Sequence, residues 1–179
     1  AAAQVIQSGS IDTTGEQGGA VHLLADGGVV KVDGSITANS SGHDVQGQLR
    51  KGGDIVIGRD LETGVLAKAT DVGGASLESH RGFVETSGEY LDSSGVKVKA
   101  AEWLLDPNNI EINATNVAVT AGNSVVLAGD IAAALTAGTT VTVATGTDAG
   151  ARHAGARRGV QTPGARRDRH RLPGSVAGA

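Results

Sequence analysis

Hydrophobic positions along this chain come in short runs that never sustain a helical period. Val21 to Leu24, Val29 to Val32, Ile55 to Ile57, Phe83 to Glu85 and Val96 to Val98 are runs of this kind. Ile110 to Ile112, Val117 to Val119, Val125 to Leu127 and Val141 to Val143 continue the series. Gly, Asn, Asp or Ser turn signals bound each run, and β-branched residues dominate inside, which predicts short strands. The only helix-like stretch is Asp130 to Gly138, "DIAAALTAG", with Asp placed as an N-cap and Gly after it. Helices of that length are marginal without packing, so the segment is expected to form another strand and turn.

The runs recur. Gly9-Ser10-Ile11 returns as Gly34-Ser35-Ile36, and Gly18-Gly19 before "AVHLL" returns as Gly52-Gly53 before "DIVIG". Imperfect repetition at roughly 25 to 35 residues marks a solenoid with one coil per repeat. The hairpin dipeptide Asn-Gly is missing and the unit is longer than one hairpin, so the expected fold class is all-β, a parallel β-helix, and a sandwich is the alternative.

Composition supports this reading. Of 179 residues, 28 are Gly, too many for a helical domain when each interior Gly costs about 1 kcal/mol against Ala. One Phe, one Tyr and one Trp leave an aliphatic core. A narrow stacked interior has little room for rings, so Phe83, Tyr90 and Trp103 are expected where the regular coil is interrupted. Pro107, in Asp106-Pro107-Asn108, is expected to turn the chain into its next strand. Without Cys there is no disulfide framework, thiolate metal site or Cys nucleophile. No apolar run reaches the ~20 residues of a membrane span. The start "AAAQVIQSGS" has no initiator Met and no signal-peptide pattern, so the chain reads as a piece of a longer protein.

Charge divides the chain near Gly150. Residues 1–150 hold eight Lys or Arg against eighteen Asp or Glu; residues 151–179 hold seven Arg against Asp168 alone. The domain expectation follows: 1–150 is the β-helix segment, and 151–179 is an Arg, Gly, Ala and Pro-rich tail, disordered because burying an unpaired Arg costs several kcal/mol. Its composition is what GC-rich coding sequence gives in the wrong frame. A basic arm for nucleic acid or anionic glycans and an ordinary linker are the alternatives. Without interleaved aromatics, no specific nucleic-acid partner is expected.

Candidate chemistry is sparse. Asp54, Asp60, Glu62 and Asp71 suit a carboxylate groove in a β-helix enzyme, but their spacing is that of solvated turn residues. His22, His43 and His80 lack metal-ligand spacing. Ser79-His80 beside Glu78 or Glu85 has no Gly-x-Ser-x-Gly elbow around it. The expectation is a non-enzyme with no catalytic residue, metal or cofactor. Two acceptor sequons begin at Asn39 and Asn113.

Three phrases in order, "GGDIVIGRD", "GFVETSG" and "WLLDPNNIEI", then "NSVVLAGDIAAALTAGTTVTVATGTDAG", resemble passengers of the filamentous haemagglutinin family, adhesins exported by two-partner secretion. The resemblance covers roughly residues 5–150, and its motif residues are Gly82, Phe83, Glu85, Thr86, Gly88, Trp103, Leu104, Leu105, Asp106 and Pro107. Arg81 departs from it, because the family phrase usually has Gly there; an outward turn is expected to tolerate the change. The resemblance implies a right-handed parallel β-helix, an internal segment of a Gram-negative adhesin that is secreted or held at the cell surface. It implies two partners: an outer-membrane transporter of the two-partner type, engaged through a region absent here, and host-cell glycans or proteins. The alternatives are the stalk of a contact-dependent toxin and a β-helix carbohydrate-active enzyme.

Overall fold

The computed structural model describes residues 3–117 and 120–146. Its strands are β1 (Gln4–Gln7), β2 (Ser10–Asp12), β3 (Val21–Leu23), β4 (Val29–Val32), β5 (Ser35–Thr37), β6 (Asp54–Ile57), β7 (Ala69–Asp71), β8 (Ser76–Gly88), β9 (Tyr90–Asp92), β10 (Lys97–Pro107), β11 (Ile110–Asn113), β12 (Ser124–Leu127) and β13 (Thr140–Val143); one helix, α1 (Ala128–Thr136), lies between the last two. The tail expected to be disordered lies outside the described residues, as do two of the three residues of the run Val117 to Val119.

The strands form two sheets. One runs β1-β4-β7-β9-β12-β11; the other runs β13-β10-β8-β5-β2, with β6 pairing both β3 and β8. Every pairing between these strands is parallel. The chain therefore leaves one sheet, crosses to the other and returns beside its earlier pass, as parallel pairing requires. The recurrence read from Gly9-Ser10-Ile11 appears directly, since Ser10 pairs with Ser35 and Ile11 with Ile36.

Two expected short strands are parts of much longer ones. Ser76, Leu77 and Glu78 of β8 pair with β5, and residues 83–86 of the same strand pair with β6. Between them the backbone bends at Arg81, which has φ +57 and is the only non-glycine at positive φ among the described residues. This position is exposed, as expected of an outward turn. Its left-handed backbone nevertheless costs an L-residue about 1–2 kcal/mol that Gly avoids. β10 follows β8 through the same bend, with its register shifting between Ala100 and Glu102.

The core is built from ladders of inward residues. Ile11, Ile36, Leu77 and Val98 stand in register, and so do Val21, Ile55, Val84, Trp103 and Val141. Most are completely buried, and each such aliphatic side chain contributes about 1.5–3 kcal/mol.

Phe83 follows the bend at Arg81 and Trp103 follows the register shift after Ala100, where interruptions were expected, but Trp103 overturns the expectation that the stacked interior has no room for a ring. It is fully buried within the main core, in register between Val84 and Val141. Those modest neighbours leave room for the indole, and its Nε1–H donates to Thr86 Oγ1 at 3.1 Å, so the one polar atom is satisfied. Phe83 belongs to a second, smaller buried cluster with Val56 and Leu104, and Tyr90 stands half-exposed at the start of β9. Pro107 ends β10 next to Gly88, where a missing N–H costs no central ladder bond.

Residues 128–136 form a helix, not the expected strand and turn. Three consecutive Ala give it high intrinsic propensity, Asp130 lies in its first turn, and Ala134 packs into the core. Leu127, without a capping side chain, is the N-cap; Asp130 instead accepts the Gly95 N–H at 2.7 Å. The C-terminus closes by a Schellman motif: Thr139 N–H reaches Ala134 O, Gly138 N–H reaches Leu135 O, and Gly138 supplies φ +85. Packing and this closure supply what an isolated nine-residue helix lacks.

Close stacking explains the repeated Gly-Gly pairs. A Cβ on Gly53 would lie 1.8 Å from the carbonyl oxygen of Gly19, with no flexible side chain to yield. Gly53→Ala is therefore expected to destabilise the protein by about 3 kcal/mol, read as a lower urea midpoint. An unchanged midpoint would mean that the two backbones are farther apart than described.

Candidate functional site

The two aromatic phrases are strand neighbours. Phe83 pairs with Glu102, Val84 with Trp103, Glu85 with Leu104, Thr86 with Leu105, Ser87 with Asp106 and Gly88 with Pro107. All ten motif residues are buried. Gly82 fits because a Cβ there would meet Ser79 Oγ and the Gly53 carbonyl.

Charge is buried in the same place. Arg59 Nη1 donates to Asp106 Oδ2 at 2.9 Å and to Glu85 Oε1 at 3.3 Å, while Ser87 Oγ donates to the same Glu85 oxygen at 2.8 Å. Relative exposures are 7% for Arg59, 1% for Glu85 and 3% for Asp106, so bulk water screens this cluster weakly. The guanidinium ties the segment after β6 to both long strands. In the sequence Arg59 is only one letter of "GGDIVIGRD". A usable signal is present: the three phrases hold one cation, Arg59, and five carboxylates, Asp54, Asp60, Glu85, Asp106 and Glu111, and any of these that is buried requires a partner.

The other candidate residues are dispersed. Asp71 pairs with Lys31 at 2.8 Å and accepts the Gly73 N–H. Asp60 closes its own turn, accepting from Glu62 N, Thr63 N and Thr63 Oγ1, and these bonds hold its carboxyl below the usual range. Asp54 begins β6 and Glu62 is an exposed turn residue, so the four acids do not line one groove. His22, His43 and His80 are each exposed. Among the described residues no group of three or more His, Cys, Asp or Glu could hold a metal ion.

Ser79 is buried with its hydroxyl donated to backbone carbonyls, chiefly Gly53 O at 2.6 Å, an anchoring role for the bend in β8. Asn39 is tied on both sides, donating to Glu78 Oε1 and accepting the His80 N–H. Asn113 donates to Val117 O. Between α1 and β10 lies a cleft of about 420 Å³, edged by Glu78, Lys97, Lys99 and Asp130 over an apolar floor of Val96 and Ala134. No helix among the described residues is long and apolar enough to cross a membrane.

Tyr90 offers a direct electrostatic check, since the chain has one tyrosine. Partial burial raises its phenol above the usual 10, and the carboxylates of Asp92 and Asp71 add to the shift. A raised folded value means that stability from this site is present below the unfolded pKa and lost as pH rises through the folded one. Absorbance titration at alkaline pH is expected to give a higher midpoint in the native chain than in urea, and Asp92→Asn to lower the native one. Equal native and denatured midpoints would contradict the placement of Tyr90 beside β7.

No family model, curated protein or solved structure matches this chain.

Proposed function

We propose that residues 1–150 are an internal, non-catalytic segment of a secreted, surface-associated adhesin of the haemagglutinin type, folded as a right-handed parallel β-helix. The single observation that supports this most is the register of β8 on β10. Two of the phrases that carry the resemblance lie side by side as one buried, parallel-paired unit clamped by Arg59, which belongs to a third. Such a unit suits a stalk that must resist pulling, because every motif residue goes into packing and none faces solvent.

In this reading the parent protein leaves a Gram-negative cell through a two-partner transporter that recognises a different region, and it attaches to host glycans or proteins. Beads coated with the full chain are expected to adhere to cultured epithelial cells above albumin-coated beads, with adhesion lost after denaturation of the coat. Antibody against the chain is expected to label intact cells of the source bacterium. Adhesion no greater than albumin, together with antigen confined to the cell interior, would overturn the proposal.

A further inference from the structure

The connection from β5 to β6 carries a projecting hairpin. His43 and Leu49 form an antiparallel bridge, Asp44 N–H donates to Gln48 O, Arg50 N–H donates to Gly42 O, and Gly47 N–H closes the tip onto Asp44 O. Val45 stands at that tip with a relative exposure of 96%, the highest of any large hydrophobic residue among those described. The Asp44 carboxylate is turned onto the N–H groups of Gln46 and Gln48.

The base of the hairpin is cationic. Arg50 Nε donates to His43 O, Arg81 Nη1 donates to Leu49 O, and Gly52 N–H donates to His80 O, so Arg50, Lys51, Arg81, His43 and His80 share one corner. Among the described residues Lys31, Arg59, Lys68 and Lys99 each pair with a carboxylate; of the four cations in no such pair, Lys97 lies on β10, and Arg50, Lys51 and Arg81 lie at this corner. Three unpaired cations therefore gather on a body that is otherwise acidic. Arg81 also occupies the left-handed backbone, a strain of the sort that collects at functional positions.

We propose that this hairpin is a contact site for an anionic lipid bilayer: Val45 enters the headgroup layer and Arg50, Lys51 and Arg81 meet lipid phosphates and carboxylates. An apolar tip above a cationic base matches the layering of a membrane interface. A saccharide site would call for an aromatic platform or a groove, and Phe83 and Trp103 are buried while Tyr90 lies on the other sheet. The inference stands apart from the adhesin reading, since it rests on this hairpin alone.

Each Lys or Arg near an anionic surface contributes about 1 kcal/mol, so three change partitioning about 100-fold. The test is co-sedimentation of the full chain with vesicles of phosphatidylcholine alone or with about one-third phosphatidylserine. Binding is expected only to the anionic vesicles, declining with salt. Arg50→Gln, Lys51→Gln and Arg81→Gly combined are expected to weaken it about 100-fold, Val45→Asp to weaken it, and Val45→Trp to strengthen it. Circular dichroism of each variant checks that the fold is kept, and the gain with Val45→Trp is a result that misfolding would not produce. Equal binding to both vesicles, no binding, or no response to the Val45 changes would overturn the proposal. Tighter retention on a heparin column that depends on the three cations, without vesicle binding, would also overturn it and assign the corner to a sulfated glycan.

Discussion

Arg59→Ala is expected to lower the free energy of unfolding by about 3–5 kcal/mol in equilibrium urea denaturation. The guanidinium lies between Glu85 and Asp106, and both are almost wholly inaccessible. Removing it takes away the cation that offsets two buried carboxylates, and desolvation of unpaired charge is what makes the loss large. Arg59→Lys should lose less, because the charge survives, although a shorter ammonium must reach the place from which the single Nη1 donates to both acceptors. A double-mutant cycle with Glu85→Ala should give a coupling above about 1 kcal/mol, since the residues share one network. A loss under about 1 kcal/mol for Arg59→Ala would mean that the clamp is open to water and contributes little to the body.

Trp103→Ala should cost about as much, roughly 3–5 kcal/mol, for a different reason. The indole is the largest fully buried side chain described and fills the ladder between Val84 and Val141. Truncation leaves a cavity that parallel strands tied on both sides cannot collapse to fill, and Thr86 Oγ1 loses its donor. Trp103→Phe separates the two contributions: most of the volume returns and the hydrogen bond does not, so about 1–2 kcal/mol should remain lost. Since this is the only tryptophan, unfolding of both variants should be followed by far-UV circular dichroism. A small loss for Trp103→Ala would place the ring at the surface and contradict the described core.

Both predictions concern residues that the sequence treats unequally. Trp103 stands out as the sole tryptophan and is legible in its phrase, but its burial in a regular ladder is not. A one-dimensional pattern cannot show that Val84 and Val141, 19 residues before it and 38 after, leave space for a ring. Arg59 is harder still, because its two partners lie 26 and 47 residues away. All three phrases stand out in the sequence, but nothing along the chain shows that the cation in the first meets the carboxylates in the other two.

What the sequence determined by itself is local in origin. β-branched runs between glycine turns dictated strands, and the return of Gly-Ser-Ile and of the Gly-Gly pairs pointed to stacked passes, with β2 beside β5. Strand formation follows from side-chain shape and backbone sterics within a few residues, and the stacking from the likeness of one short run to another 25 residues on. Tertiary structure decided the rest. It merged short runs into the bent strands β8 and β10, since a strand can serve two neighbours once both are in place. It made residues 128–136 a helix, because core packing of Ala134 and closure at Gly138 outweigh the weakness of an isolated short helix. It also gathered Arg50, Lys51 and Arg81 at one corner, a proximity that depends on how the β5 to β6 connection lies against the bend of β8.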